Sequence, residues 1–167
     1  NFKSNILSGR ITRKDELLNT NDYKRLIDSA REKNVKIKIN TVVSKYNLSD
    51  DLNSMLNFLE PDRWKIFQAM PVNGQNTLYQ SKFTITHEEY QSFLWRHIKS
   101  IAKHKGVDEP ENLMRGSYYM ISPDGKLFDS TIGEHEYSRD IIKFGIKEAL
   151  NDIQFNYDKF IERGGDY

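Results

Sequence analysis

Two segments of the sequence carry basic side chains at every second position. The first has Lys36, Lys38 and Asn40 separated by β-branched residues, and the second has Arg63 and Lys65 separated by an aromatic residue. Because successive side chains of a β-strand point to opposite faces, each segment would place these side chains on one face. The pattern predicts two strands that each present a basic face.

A basic face is unusual in the sheet that these strands would form. Strands of a parallel sheet covered by helices are normally apolar on both faces, and a buried cation is costly unless it faces a solvated cavity or an anion. Two faces of the same charge cannot neutralise each other. Polyphosphate suits both lysine, as a point charge, and arginine, as a bidentate donor. The pattern therefore favours an anion site, with a lysine-bearing edge strand as the alternative.

The other polar side chains give weaker signals. His97 lies on the apolar side of a predicted helix, which is typical of a core histidine rather than a metal ligand. His87, His104 and His135 stand in polar surroundings, and no pair of histidines has the spacing of a metal site. No phosphate-binding loop, dinucleotide fingerprint or hydrolase elbow occurs. Tyr118 fits either a catalytic acid or a packing residue of a hairpin.

Composition excludes several classes of protein. The 167 residues carry a net charge of +1, with 37% hydrophobic and 29% charged residues, and include no cysteine. Such a balance is typical of a globular domain and disfavours a general nucleic-acid surface. No stretch is long enough to span a membrane, and no signal peptide is visible. The absence of cysteine excludes disulfides and cysteine-ligated iron–sulfur clusters in this chain, and a cytoplasmic location is expected.

The order of the predicted elements indicates βα units. They are a helix from Thr20 or Asn21 to Asn34, a strand at 35–43, a helix from Ser49 or Asp50 to Pro61, and a strand at 63–70. This order with short connections predicts an α/β fold with a parallel sheet. A later long helix begins at a capping box of Thr86 and Glu89 and carries His97, Ile98 and Ile101 on its apolar side.

The last third of the chain is predicted to be mixed. The turn 122–125, Ser-Pro-Asp-Gly, lies between strands at 117–121 and 126–128 and predicts a β-hairpin. A helix through Ile153 and a short helix through Phe160 follow. Both ends of the chain look cut, which predicts a piece of a longer protein.

Five segments, in order along the chain, resemble one known family. Segments 36–43 and 63–68 resemble the KIN and RWKxFQ motifs of viperins and their prokaryotic relatives. The similarity continues through 116–118 (Gly-Ser-Tyr) and 160–167 (FIERGGDY), and an LxGR-like segment stands at 7–10. The family consists of radical-SAM enzymes, so the resemblance implies a radical-SAM nucleotide dehydratase.

The resemblance also implies a fold and a reaction. The fold would be the later part of a partial (βα)6 radical-SAM barrel at 1–105, followed by an α+β extension at 106–167. The family cleaves S-adenosylmethionine at a [4Fe–4S] cluster, and the resulting radical abstracts hydrogen from C4′ of a nucleoside triphosphate. Loss of the 3′-hydroxyl as water gives a 3′-deoxy-3′,4′-didehydro nucleotide that serves in antiviral defence.

The resemblance assigns roles to particular residues. Lys38, Arg63 and Lys65 would hold the triphosphate, and Asn40 would line the same substrate pocket. Arg10 would meet the carboxylate of S-adenosylmethionine, and Tyr118 would lie near the ribose as a donor of a proton or hydrogen. The expected partner is a nucleoside triphosphate, with no nucleic acid polymer and no membrane segment.

Several alternatives stay open. The cluster motif CxxxCxxC is not in this chain, so the chain by itself is not expected to catalyse the reaction. Other readings are a different radical-SAM enzyme acting on a phosphorylated substrate, or a non-catalytic αβ anion-binding module. The preferred nucleobase is open as well. An exposed sheet edge would permit dimerisation.

Overall fold

The computed structural model describes residues 12–13, 16–75 and 77–165. These residues divide into two compact units. The first unit comprises the described residues up to Ala69 together with Ile85–Asp108, and the second comprises Met70–Thr84 together with the described residues from Glu109 onward. Each unit has its own sheet and helices. The predicted partial barrel and the predicted boundary at 105/106 stay predictions.

The first unit alternates helices and strands, as the order of the sequence motifs indicated. Its elements are β1 (Thr12–Arg13), β2 (Glu16–Leu17), α1 (Thr20–Arg31), β3 (Lys38–Val43), α2 (Asn53–Leu59), β4 (Arg63–Gln68), α4 (His87–Arg96), α5 (Ile98–Lys103) and the start of β5 (Val107–Glu109). Strands β1 and β2 pair with each other, and the main sheet has the order β3-β4-β5. The prediction of parallel neighbours is confirmed for β3 and β4.

Helix α1 begins at Thr20, and its N-cap lies one residue before the predicted caps, Thr20 and Asn21. The cap is Asn19, whose side chain accepts hydrogen bonds from the backbone of Asn21 and Asp22, while the Asp22 carboxylate accepts from Asn19 N. This capping box satisfies N–H groups that the first helical turn would otherwise leave without partners. Helix α1 ends at Arg31 rather than at the predicted Asn34, which has a φ of 58° and lies in the turn that follows the helix.

Strand β3 begins three residues later than predicted. The carboxylate of Asp62 accepts a hydrogen bond from Ile37 N at 2.8 Å, and Ile37 O accepts from the N–H groups of Asp62 and Arg63. The backbone groups of Ile37 are therefore bonded to the residues that lead into β4. The alternation of side chains correctly predicted the strand but not its first residue.

The core of the first unit lies on one face of β3 and β4. Trp64, Ile66 and Val43 are fully buried there against Tyr90 and Phe93 of α4. Two polar groups within this core find partners: the Tyr90 hydroxyl donates to Ile66 O at 2.8 Å, and Trp64 Nε1 donates to the Thr41 hydroxyl at 2.9 Å. One face of the sheet is thus closed by helix packing.

The single long helix predicted after Thr86 is two helices. The capping box is confirmed, with Glu89 N donating to the Thr86 hydroxyl and Thr86 N donating to the Glu89 carboxylate. Helix α4 ends at His97, and α5 begins immediately after it. Because this break changes the direction of the following side chains, Ile98 is 49% exposed instead of lying on the apolar side.

The second unit contains a three-stranded antiparallel sheet surrounded by short helices. Its elements are a 3-10 turn (Thr77–Tyr79), α3 (Gln80–Phe83), α6 (Glu111–Met114), β6 (Met120–Ile121), β7 (Lys126–Asp129), β8 (Glu136–Asp140), α7 (Ile141–Phe144), α8 (Ile146–Leu150) and α9 (Tyr157–Glu162). The predicted hairpin is confirmed as β6 and β7, which pair antiparallel on either side of the turn 122–125. Strand β8 was not predicted, because its sequence EYSRD has no apolar alternation.

In the tail of the second unit, the helix predicted through Ile153 is α8, which ends at Leu150, and α7 before it was not predicted. Gly145, with a φ of 86°, separates α7 from α8. Arg139 of β8 holds the chain after α8 through two hydrogen bonds of 2.7 Å to the carboxylate of Asp152. These bonds, with a third from the Arg139 backbone, lower the pKa of Asp152 to about 2.

In the part of the chain that the structure describes, every helix is too short or too polar to cross a lipid bilayer.

Candidate functional site

The register of β3 and β4 brings the predicted phosphate ligands together. In this parallel pair Lys38 stands beside Arg63, and Asn40 stands beside Lys65. Paired residues of neighbouring strands lie on the same face, about 4.8 Å apart in the direction of the backbone hydrogen bonds. We refer to these four residues as the basic strand face. The sequence predicted this grouping, although it could not give the register.

Burial differs sharply across the basic strand face. Lys38 and Asn40 on β3 are exposed, Arg63 is half-buried, and Lys65 on the central strand is only 2% exposed. The Lys65 ammonium lies 5.8 Å from the centroid of the Phe67 ring, two residues further along the same face. Such a cation–π contact is worth about 0.5–1 kcal/mol at an exposed site and more in a desolvated one. The exposure of the basic strand face therefore decreases from β3, where the side chains are exposed, to β4, where Lys65 is buried.

The opposite face of the same strands is not available to a ligand. Trp64 and Ile66 alternate with Arg63 and Lys65 along β4 and are fully buried in the core of the first unit. The strict alternation explains how one strand can carry both a core and a charged surface. A ligand of β3 and β4 must lie on the basic strand face.

Tyr118 lies in the second unit, within a group of buried polar residues. Its hydroxyl donates a hydrogen bond to Oε2 of Glu109, which is fully buried. The guanidinium of Arg163 lies 3.7 Å from the centroid of the Tyr118 ring. Arg163 is itself buried and donates to Ser117 and to Glu109. We refer to Glu109, Ser117, Tyr118 and Arg163 as the tyrosine cluster.

Sequence reasoning had selected Tyr118 but missed Glu109 and Arg163. Glu109 stands just before Pro110, and the three residues of β5 are too few to show a strand pattern. Arg163 lies inside the C-terminal motif at 160–167, and that motif was the only available signal. Because Glu109 and Arg163 are far apart in the sequence, their contact cannot be predicted from the spacing of neighbouring residues.

Among the described residues, no group of three or more histidine, cysteine, aspartate or glutamate side chains could hold a metal ion. Since the whole sequence contains no cysteine, it does not fit the thiolate ligands of an iron–sulfur cluster. Arg10, the predicted contact of S-adenosylmethionine, lies outside the described residues.

His97 is a core residue, as predicted. Its Nε2 accepts a hydrogen bond from Leu52 N at 3.0 Å, so Nδ1 carries the proton and donates to Phe93 O at 2.8 Å. Burial lowers the pKa of His97, an effect only partly opposed by the bond to Phe93 and the charge of Asp51. The neutral ring joins α4 to the start of α2 and is not arranged as a ligand.

No protein-family model matches the chain. The chain is 40% identical, over an alignment of 167 residues, to an S-adenosylmethionine-dependent nucleotide dehydratase of Lacinutrix mariniflava. The alignment covers 99% of this chain and 34% of that relative. Proteins of the same name are 38% identical in Flammeovirga pacifica, over 87% of this chain and 49% of the relative, and 33% identical in Danio rerio, over 82% of this chain and 39% of the relative.

The chain thus spans about a third to a half of the length of these relatives. Over nearly all of its own length it is homologous to them, which confirms the resemblance found in the sequence.

Proposed function

We propose, from its homology to the viperin-type nucleotide dehydratases, that this chain is the substrate-binding part of a radical-SAM enzyme. The substrate is a nucleoside triphosphate, and the product is its 3′-deoxy-3′,4′-didehydro analogue. The observation that carries the proposal is the register of β3 and β4, which aligns Lys38 with Arg63 and Asn40 with Lys65. Homology supplies the reaction class, and the geometry supplies a face suited to its substrate.

The basic strand face would bind the triphosphate. Arg63 offers a fork of N–H donors, and the two lysines offer compact charges, so together they suit phosphate oxygens. Asn40 adds an amide that can donate to one oxygen and accept from a hydroxyl. Because Lys65 is nearly buried, a phosphate bound to it would be largely removed from water, and the attraction between the two charges would be stronger there than at an exposed site.

The radical chemistry would depend on groups that these residues do not hold. When bound, S-adenosylmethionine with a [4Fe–4S] cluster would supply the radical chemistry for removal of hydrogen from the sugar. The 167 residues have no cysteine for such a cluster, so the described residues are assigned only binding and hydrogen transfer. Tyr118, whose hydroxyl is held by Glu109, is proposed as the donor of a proton or hydrogen.

Substitution of the lysines tests the phosphate assignment. Lys38→Ala and Lys65→Met in the full-length protein should each weaken triphosphate binding by about 1.5–3 kcal/mol, the usual contribution of a hydrogen bond to a charged group. Isothermal titration with a panel of nucleoside triphosphates measures the loss. Lys99→Ala, which removes an exposed lysine of α5, is the matched control. Unchanged titrations for both Lys38→Ala and Lys65→Met would refute the proposed role.

A non-catalytic anion-binding module is the second candidate, favoured by the exposure of Lys38 and Asn40 on β3. Such a surface would bind polyanions without selectivity, and its affinity would fall steeply with salt. Titration of the wild-type protein with a triphosphate and with heparin at two salt concentrations separates the two candidates. Selective, stoichiometric binding of one triphosphate supports the dehydratase, and equal binding of both ligands supports the module.

A further inference from the structure

The polar groups of the tyrosine cluster converge on one residue. The two carboxylate oxygens of Glu109 contact different residues: Oε2 accepts a hydrogen bond from the Tyr118 hydroxyl, and Oε1 lies 3.4 Å from Arg163 Nη1. Arg163 Nε donates to the hydroxyl of Ser117 and Nη2 donates to the Ser117 carbonyl, both at 2.7 Å. Its guanidinium also lies against the face of the Tyr118 ring. The hydroxyl, the ring and the preceding backbone of Tyr118 are therefore all held.

Such a cluster is expensive to bury. Removal of a carboxylate and a guanidinium from water costs several kcal/mol per ion, and this cost is offset only by good geometry and further hydrogen bonds. The direct contact between Glu109 and Arg163 is long, whereas the short bonds of Arg163 go to Ser117. A pair built only for its mutual attraction would make its shortest contacts within the pair. Here the shortest hydrogen bonds of Arg163 go instead to Ser117, the residue before Tyr118.

We infer that Glu109 and Arg163 are positioning residues for Tyr118, with Glu109 setting the direction of its O–H group and Arg163 fixing the plane of its ring. The inference deepens the proposed function, because it rests on Tyr118 as the donor of a proton or hydrogen. It carries a mechanistic consequence: the phenolic hydrogen is committed to Glu109 Oε2, so transfer to a substrate requires this bond to break. Glu109 therefore fixes the position from which the hydroxyl turns to the substrate.

The test compares substitutions that keep size but alter the contacts. Glu109→Gln removes the charge that accepts from Tyr118, and Arg163→Lys removes the planar group from the ring. Arg115→Lys is the matched control, since Arg115 also joins a carboxylate, Glu111, to backbone carbonyls but makes none of its described contacts with Tyr118. Tyr118→Phe identifies the signal of Tyr118 and defines the effect of complete loss of the hydroxyl.

Two measurements are made on the full-length protein. The first follows the NMR resonance of Tyr118 in protein labelled with 13C at tyrosine Cζ, which reports on the hydroxyl group without any turnover. The second measures, in the reconstituted enzyme, how much 5′-deoxyadenosine is formed for each molecule of nucleotide product, beside the Kd for the triphosphate. A purely structural role would lower thermal stability without changing the ratio of the two products.

We expect Glu109→Gln and Arg163→Lys to shift the Tyr118 resonance and to raise the ratio of 5′-deoxyadenosine to product about tenfold to a hundredfold, the cost of a misplaced reacting group. The Kd should stay within about twofold, since charged groups that touch the ligand are the ones whose loss weakens binding. Arg115→Lys should leave the resonance and the ratio unchanged.

Three outcomes would overturn the inference. The first is an unchanged Tyr118 resonance in both variants. The second is a ratio of 5′-deoxyadenosine to product that stays as in the wild type, as expected for Arg115→Lys. The third is a further rise of this ratio when Glu109→Gln is combined with Tyr118→Phe. The last would show that Glu109 acts elsewhere than through the tyrosine hydroxyl. If the wild-type protein makes no nucleotide product, the proposed function fails, while the resonance still decides whether Glu109 and Arg163 position Tyr118.

Discussion

His97 illustrates how a titratable side chain can serve as a structural connector. Both ring nitrogens are used, one by Leu52 N and the other by Phe93 O, and the ring packs edge-on against Trp64 with centroids 5.7 Å apart. A protonated ring could not accept the bond from Leu52. Protonation would therefore break the link between α4 and α2 as well as bury a charge.

The lowered pKa of His97 predicts a pH dependence of stability. Above its ordinary pKa of 6.5, both folded and unfolded chains hold a neutral ring, so the contribution is complete. As the pH falls below 6.5, the unfolded chain takes up a proton first, and the free energy of unfolding decreases until the pH reaches the folded pKa. Urea unfolding at about pH 7.5 and about pH 5.5, on either side of the ordinary pKa of 6.5, measures the loss.

The non-titrating variant His97→Gln is the control for this prediction. Its stability should be lower than that of the wild type at the higher pH, and it should change less between the two conditions. Parallel curves for the two proteins would show that other groups cause the pH dependence. The carboxylates with lowered pKa values, such as Asp152 and Glu88, affect stability only near and below their ordinary values of 3.8 and 4.5 and do not interfere.

The residues of the candidate site differ in how far the sequence could predict them. Lys38 and Lys65 could be predicted because alternation along a strand is a local pattern. The different burial of these two lysines could not, because it depends on β4 lying between two other strands. Glu109 and Arg163 meet across 54 positions of sequence, and nothing local marks that contact.

At the scale of elements, caps and turns were predicted better than helix lengths. The Thr86 and Glu89 box and the turn 122–125 depend on neighbouring residues, and the structure confirms both. The long helix after Thr86 was wrong because His97 ends α4 through contacts with α2, which are absent from the local sequence. Strand β8 was missed because its pairing with β7, rather than its own composition, forms it.

The confirmed cap of α4 should contribute measurably to stability. Thr86→Ala removes the hydroxyl that accepts from Glu89 N, and loss of such a cap typically costs about 1 kcal/mol, within roughly 0.5–2 kcal/mol. The midpoint of urea unfolding should fall accordingly, with the slope unchanged. Thr86→Ser retains a hydroxyl and should stay close to the wild type. Equal midpoints for the Ala and Ser variants would show that the cap contributes nothing.

At the scale of the molecule, the chain combines two units with different sheets. The parallel pair of the first unit has one face in the core and the other bearing the basic strand face, whereas the second unit is antiparallel. Composition predicted a folded, cysteine-free protein but not this division. The chain passes from the first unit to the second at Met70 and again at Glu109, and a single proline, Pro71 or Pro110, follows each crossing.

The edge of the main sheet predicts self-association of the 167-residue chain. Within the described sheet, β3 lies at one edge, and backbone groups on the outer side of an edge strand can pair with a second copy. The side chain of Val42 in this strand is 56% exposed, while its carbonyl accepts a hydrogen bond from Asn47 Nδ2 at 2.9 Å, so a second copy would have to displace that bond or pair beside it. A symmetric dimer through β3 would bring the strand against itself in an antiparallel pair.

Light scattering during size-exclusion chromatography measures this association over a range of protein concentrations. The fraction of dimer should rise with concentration, and Val42→Lys should raise the dimer Kd several-fold, because like charges close together across paired strands repel each other. Leu78→Lys places the same charge on an exposed residue of the second unit and should leave the Kd unchanged. A monomer at every concentration would refute the edge contact, and an equal effect of both variants would place the association elsewhere.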